Sequence, residues 1–224
     1  MTGTILNVGA VLAGSALGLV VGARMPERVR ETLMDGIGLV VLLLGMQMAL
    51  ETDNSLIVLV SILVGGAVGE LLDIEGRLAS LGDAIKTRVG SAAPRFTEGF
   101  VAASVLFCIG PMAIIGSVND GLRGDYSVLA VKSVLDGVSA LAFSTTMGLG
   151  VAFSVLPMLV YQGGLTLLAG LAQSLLSDAM VTEMTAAGGV LILGIGLRLL
   201  HLRQVRVANF VPALVLAPLL AALV

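Results

Sequence analysis

Lys132 and Asp136 stand four residues apart in an otherwise apolar segment, and from Gly137 to Ser177 the chain runs 41 residues without a charged side chain. Four residues is about one helical turn, so the ammonium and the carboxylate share a face and can reach one another. An ionisable residue kept at bilayer depth is costly, and such residues mark ion pathways, solute sites and proton relays. A carboxylate so placed could alternate between pairing the lysine and binding a proton or cation. A structural ion pair with Lys132 snorkelling outward is the plainer alternative. The stripe continues through Ala140, Ser144 and Gly148, and small residues there suit a groove that faces protein or water and not lipid.

A second candidate lies upstream, in the segment FCIGPMAIIGS from Phe107 to Ser117, where Gly110 and Pro111 fall near the centre of an apolar run. Proline lacks the N–H that a helix would use and crowds the carbonyl four residues earlier, which leaves the Phe107 carbonyl without its helical partner. Unwound backbone at membrane depth is tolerable only where protein or a water-filled cavity satisfies it, and broken helices of this kind hold ions or substrate groups in transporters. A simple proline kink is the other reading. The run ends in Gly116, Ser117, Val118, Asn119, Asp120 and Gly121, which reads as an outer turn. Asn119 and Asp120 there are either a solvated turn or an outer vestibule for a cation. Asn7, Gln47, Glu70, Ser144, Thr145, Thr146, Gln162 and Gln173 are the other polar residues within apolar runs. Each suits a hydrogen bond to a neighbouring helix, with Gln162 and Ser144 kept as further candidates for solute contact.

The elements that must position these groups follow from composition. Apolar residues make up 57% of the 224, charged residues only 12%, and the mean hydropathy is +1.07. These values describe a helical integral membrane protein. The apolar runs are nearly continuous and lack the ten-residue alternation of an outer-membrane barrel. There is no Trp, so the aromatic belt is thin. The net charge of −3 gives no hint of nucleic-acid binding, and the single Cys108 excludes an intrachain disulfide. No His or Cys cluster has metal-ligand spacing, no glycine-rich phosphate loop occurs, and no nucleophile–base arrangement can be named. No cofactor is expected, and no enzymatic activity.

The first apolar run has no Lys or Arg before it, so it reads as a retained span and not a cleaved signal. Further spans are expected near 36–50, 54–72, 99–118, 127–149, 157–177, 184–197 and 207–224, about eight in all, the second and seventh short against the ~20 residues a crossing helix needs. Arg24, Arg28 and Arg30 fall in the first loop, Arg77, Lys86, Arg88 and Arg95 in the third, and Arg198, Arg203 and Arg206 in the seventh. The positive-inside rule then places both termini outside the cytoplasm and the turn near Gly148, Gly150 and Pro157 inside. Within the third loop Ile74, Leu78, Leu81 and Ile85 recur at helical spacing, either a helix on the inner membrane surface or a solvated connector.

Small residues recur four apart at Gly14, Gly18 and Gly22, at Ser61, Gly65 and Gly69, and at Gly170 and Ser174. Such faces let helix backbones approach closely. With the flanking apolar residues they also fit inverted repeat units, 1–98 and 157–224, on either side of a central region 99–156 within one membrane domain; duplication and plain packing are both consistent with the pattern.

Taken together, the segment Phe107–Ser117, NDG at Asn119–Gly121, KSVLDG at Lys132–Gly137, YQG at Tyr161–Gly163 and the opening GTILN at Gly3–Asn7 resemble the YqgA/YdfK-type family of bacterial multi-pass membrane proteins, domain of unknown function 554. The resemblance spans essentially the whole chain and implies a bacterial inner-membrane location. It carries no established activity and no assigned residues. The residues themselves lead to an all-helical polytopic protein acting as a secondary transporter or channel for an ion or small polar solute. A non-transporting scaffold or regulator, in which the same pair fixes helix register, is the competing class. Partners expected are the lipid bilayer, the solute, and a second copy in a homo-oligomer, a dimer being the commonest form.

Overall fold

In the computed structural model residues 1–91 and 93–223 are described, the side chains of 172–174 apart. Gln173 and the Ser174 end of the Gly170–Ser174 step therefore lie outside the described side chains. Every described element is helical: α1 (Thr2–Gly22), α2 (Glu27–Ala49), α3 (Ser55–Leu71), α4 (Ile74–Arg88), α5 (Phe96–Cys108), α6 (Pro111–Arg123), α7 (Ser127–Met147), α8 (Gly150–Phe153), α9 (Val155–Leu167), α10 (Ala169–Leu175), α11 (Asp178–Leu199), a short 3-10 turn (Val207–Phe210) and α12 (Ala213–Ala221). Five helices, α1, α2, α7, the joined Gly150–Leu167 and α11, are long and apolar enough to cross a bilayer; the bent pairs α3 with α4 and α5 with α6 raise the number to seven.

Burial is inverted relative to a water-soluble protein. On α1 the enclosed residues are Gly3, Thr4, Asn7, Val11, Gly14, Ser15, Gly18 and Gly22, whereas Ile5, Leu6, Leu12, Leu17 and Val20 are exposed. On α7 Lys132, Ser133, Asp136 and Ala140 are buried while Val131, Val134, Leu135 and Val138 are exposed. Water would drive those branched side chains inward. Lipid does not, and helices whose own backbone bonds are closed can present them to it. The chain is a multi-pass membrane protein.

The residues fall into two compact units, each built from separated stretches of chain. In the first, Met1–Met34 with Ala79–Ser174, α1 lies along α7 in the same direction: a Cβ at Gly3 would meet Leu129, one at Gly14 the Gly137 carbonyl, one at Gly18 the Leu141 carbonyl and one at Gly22 Thr145. The Gly14, Gly18, Gly22 ladder is thus spent on backbone approach, the geometry small-xxx-small faces permit. In the second unit, Asp35–Leu78 with Leu175–Val224, Gly65 and Gly69 of α3 press on Ala213 and Asn209, and Gly45 of α2 faces Gly189 of α11. Glu183 of α11, almost fully buried, accepts hydrogen bonds from Thr52 Oγ1 (2.7 Å), Asp53 N–H (2.9 Å) and Asn54 N–H (3.1 Å) and so closes the turn between α2 and α3.

Two local expectations are corrected. The segment Gly116–Gly121 is not an outer turn; it belongs to α6, which runs on to Gly124, a left-handed cap at φ +69°. Its glycines serve close contact, Gly116 against Leu129 and Gly121 against the Thr166 carbonyl. After α7 the reversal takes only two residues: Gly148 (φ +78°) ends the helix and Gly150 starts the next. Pro157 therefore sits inside the first turn of α9, where a missing N–H costs nothing. The apolar crossing segment is Gly150–Leu167 and not 157–177. At the entrance to α7, Asp125 is fully exposed, and hydrogen bonds from the Ser127 hydroxyl and then its N–H hold the carboxyl below the ordinary aspartate range.

Candidate functional site

The polar centre of the first unit is assembled from α1, α7 and α9. Lys132 Nζ donates to Asp136 Oδ2 at 2.5 Å along one turn of α7, both residues being buried. Asn7 of α1, wholly enclosed, donates from Nδ2 to the same Oδ2 at 2.9 Å and to Gln162 Oε1 of α9 at 3.1 Å, with Met158 Sδ at 3.5 Å. Because Nδ2 serves the carboxylate, the Asn7 amide has one workable orientation; reversed, it would set oxygen against oxygen. Gln162 must then present Oε1 to Asn7.

That fixed arrangement leaves polar atoms over. Asn7 Oδ1 and Gln162 Nε2 are buried and have no hydrogen-bond partner among the described residues. Asp136 Oδ1 likewise accepts no hydrogen bond there, since both of its donors converge on Oδ2. Buried polar groups are normally paired. An unpaired one costs about 1–3 kcal/mol, so two in one cluster set it apart from a closed structural network.

The helix break lies beside this cluster. α5 ends at Cys108, Ile109 is extended, Gly110 takes φ +132° and ψ +150°, and Pro111 opens α6 at a 62° bend. That backbone region is essentially glycine-only, and Pro111 is at the position where a helix start favours it. The Phe107 carbonyl, in an enclosed residue, receives no backbone N–H among the described residues. Cys108 lies within electrostatic range of both Lys132 and Asp136, and Tyr161 of Cys108. The break and the charge pair thus share one region.

A row of polar contacts continues along α1 towards its start. Thr4 and Thr166 hydroxyls lie 3.3 Å apart, and Gly3 N–H donates to Asp120 Oδ2 at 3.1 Å, with the Met1 amine 2.9 Å from the same oxygen. Asp120 is therefore a buried carboxylate at the N-terminal end of α1, where a negative charge suits the helix dipole, and not a solvated turn residue. Asn119 beside it is half-buried on α6 and forms no part of the cluster. Ser144 is buried against Gly18, with its hydroxyl unpartnered among the described residues; it lies two turns beyond Asp136. In the second unit Glu70 pairs with Arg206 (2.5 Å) and Asn209 (2.6 Å), and Glu75 with Arg198 (2.6 Å), an arrangement that joins helix ends and leaves the carboxylates occupied.

Among the described residues no group of three or more His, Cys, Asp or Glu is placed to hold a metal ion. Asn7 is the residue whose importance the sequence hid, since it was one of several polar positions in apolar runs; its place in GTILN was the only further signal. Met158 and the Thr4–Thr166 contact carried none.

Comparison with known proteins agrees with this architecture in kind. Residues 2–222 match the family described as a protein of unknown function, DUF554. The chain is 30% identical over 222 residues to the uncharacterized membrane protein YdfK of Bacillus subtilis, covering 97% of this chain and 94% of the relative. It is 34% identical over 226 residues to the uncharacterized protein YqgA of Escherichia coli K12, covering 98% and 96%. No solved structure matches. A family match over nearly the whole length, with relatives of the same extent, places this chain in the DUF554 family.

Proposed function

We propose that the protein is a secondary transporter or channel for an ion or small polar solute, with the Asn7, Lys132, Asp136 and Gln162 cluster as its binding site. The observation that carries this reading is the pair of unpaired, buried amide atoms, Asn7 Oδ1 and Gln162 Nε2, on a cluster that also holds a buried ion pair. Evolution of a purely structural network would close those valences, because each costs about as much as a hydrogen bond contributes. A ligand that closes them stabilises one state of the protein, which gives the differential affinity a transport cycle requires. Gly110 and Pro111 supply the second support, as a break that leaves the Phe107 carbonyl without a backbone donor among the described residues.

In this reading Asp136 is the carboxylate on which flux depends and Lys132 its charge partner. The protein moves its substrate and does not transform it. It sits in the bacterial plasma membrane with both ends outside the cytoplasm and works as a homo-oligomer.

One observation favours the scaffold reading: Asn7 Nδ2 ties α1 to Asp136 of α7, which would fix the register of the two helices. Flux through proteoliposomes separates the two. Asp136→Asn abolishes flux of the transported species while the variant remains monodisperse and helical; a scaffold has no flux to lose, and the variant fails in assembly or stability instead.

A further inference from the structure

We infer that the solute taken by this cluster is neutral and carries a carboxamide or urea group; the inference rests on the reading of the cluster as a solute site and names its substrate class. The charges present are one ammonium and one carboxylate in direct contact, Lys132 Nζ on Asp136 Oδ2. Each is already balanced by the other, so a cation would have to displace Lys132 and an anion would have to displace Asp136. Either exchange buries an unpaired charge, which protein interiors strongly resist. A neutral solute enters without that exchange.

The hydrogen-bonding valences left open define the neutral solute further. Two are acceptors, Asn7 Oδ1 and Asp136 Oδ1, and one is a donor group, Gln162 Nε2. Lys132 adds donor capacity, since an ammonium has three N–H bonds and one is given to Asp136. The complement of two acceptors and a donor is a group with two N–H donors and one carbonyl acceptor. A primary amide has that set, and urea has it with a second NH2 group on the same carbonyl. A bare cation would satisfy the two oxygens but face the N–H bonds of Gln162. Asn7 and Gln162 are joined to each other by one hydrogen bond, so their unpaired ends belong to neighbouring amides. The Thr4–Thr166 pair, along the row towards the start of α1, adds hydroxyls and no charge.

The test uses purified full-length protein in proteoliposomes, with acetamide and urea compared against acetate, methylammonium, Na+ and K+, charged relatives of similar size. Stopped-flow light scattering reads solute entry, and a voltage-sensitive dye reads ion movement. The expected result is entry of acetamide or urea faster than into protein-free vesicles, with no ion movement. Gln162→Met, which removes the free donor and keeps the side-chain volume, lowers that entry by about tenfold, the equivalent of one hydrogen bond. Should Gln162→Met not fold, Gln162→Asn retains an amide but withdraws it from its contacts and is expected to lower entry as well. Ion movement that Asp136→Asn abolishes, without amide entry, overturns the neutral-solute inference and leaves the transport reading standing. Amide entry unchanged in the Gln162 variants overturns the assignment of the site. No movement of any species overturns both.

Discussion

At Asp136 one carboxylate oxygen holds both donors, Lys132 Nζ and Asn7 Nδ2, while the other holds none among the described residues. That asymmetry makes the residue sensitive to what is removed. Lys132→Met leaves a buried carboxylate without its cation and is expected to cost about 3–5 kcal/mol, whereas the double variant Lys132→Met/Asp136→Leu removes both charges and costs much less. Unfolding midpoints in detergent for the three proteins check the order; a double variant no more stable than the single one would contradict it. Asn7→Leu removes two hydrogen bonds but spares the ion pair, so it is expected to weaken solute binding while Lys132 and Asp136 stay paired. Ligand-dependent melting of that variant reads the difference. Part of this was legible beforehand. Lys132 and Asp136 are four apart on one helix, and helical spacing alone brings them together. Asn7 meets Asp136 across 129 residues and Gln162 across 155, and no local pattern encodes which polar residues of separate helices will face each other.

The helices gain their precision from glycine and proline. Gly110 at φ +132° and ψ +150° occupies backbone space that other residues avoid, so Gly110→Ala is expected to destabilise by about 1–3 kcal/mol and to disturb the Phe107–Pro111 break. Gly14→Ala would set a methyl group against the Gly137 carbonyl, separating α1 from α7 at a cost of about 1–3 kcal/mol. Thermal midpoints of the two variants are the check, and a wild-type midpoint for Gly14→Ala would contradict the close approach described here. The break itself was readable because Gly-Pro in an apolar run has a direct steric consequence. The segment Gly116–Gly121 was not: its glycines and Asn-Asp pair have the composition of a turn, yet Gly116 and Gly121 are used for contact with Leu129 and Thr166, and Asp120 for the start of α1. Composition reports which residues tolerate a turn; it does not report that packing has claimed them first.

Over the whole molecule, apolar exposure and polar enclosure identify the solvent as lipid, and the distribution of basic residues gives an expected orientation within it. Ten of the twelve basic residues fall within 24–30, 77–95 and 198–206, so a cysteine placed at Gly90 in a Cys108→Ser background is expected to react with an impermeant maleimide only from the cytoplasmic side, and one at Asp53 only from outside. The reverse pattern would contradict the orientation read from the basic residues. The central claim is that the buried cluster binds a solute and is not merely an ion pair holding two helices. Its most direct test is the melting temperature of purified wild type and Asp136→Asn across a concentration series of cations, anions and small neutral solutes. At least one solute is expected to raise the wild-type midpoint progressively with concentration, whereas Asp136→Asn, which leaves Lys132 buried without its partner and melts lower for that reason, is expected to show no such rise. No rise with any solute in the wild type, or an equal rise in Asp136→Asn, would contradict it.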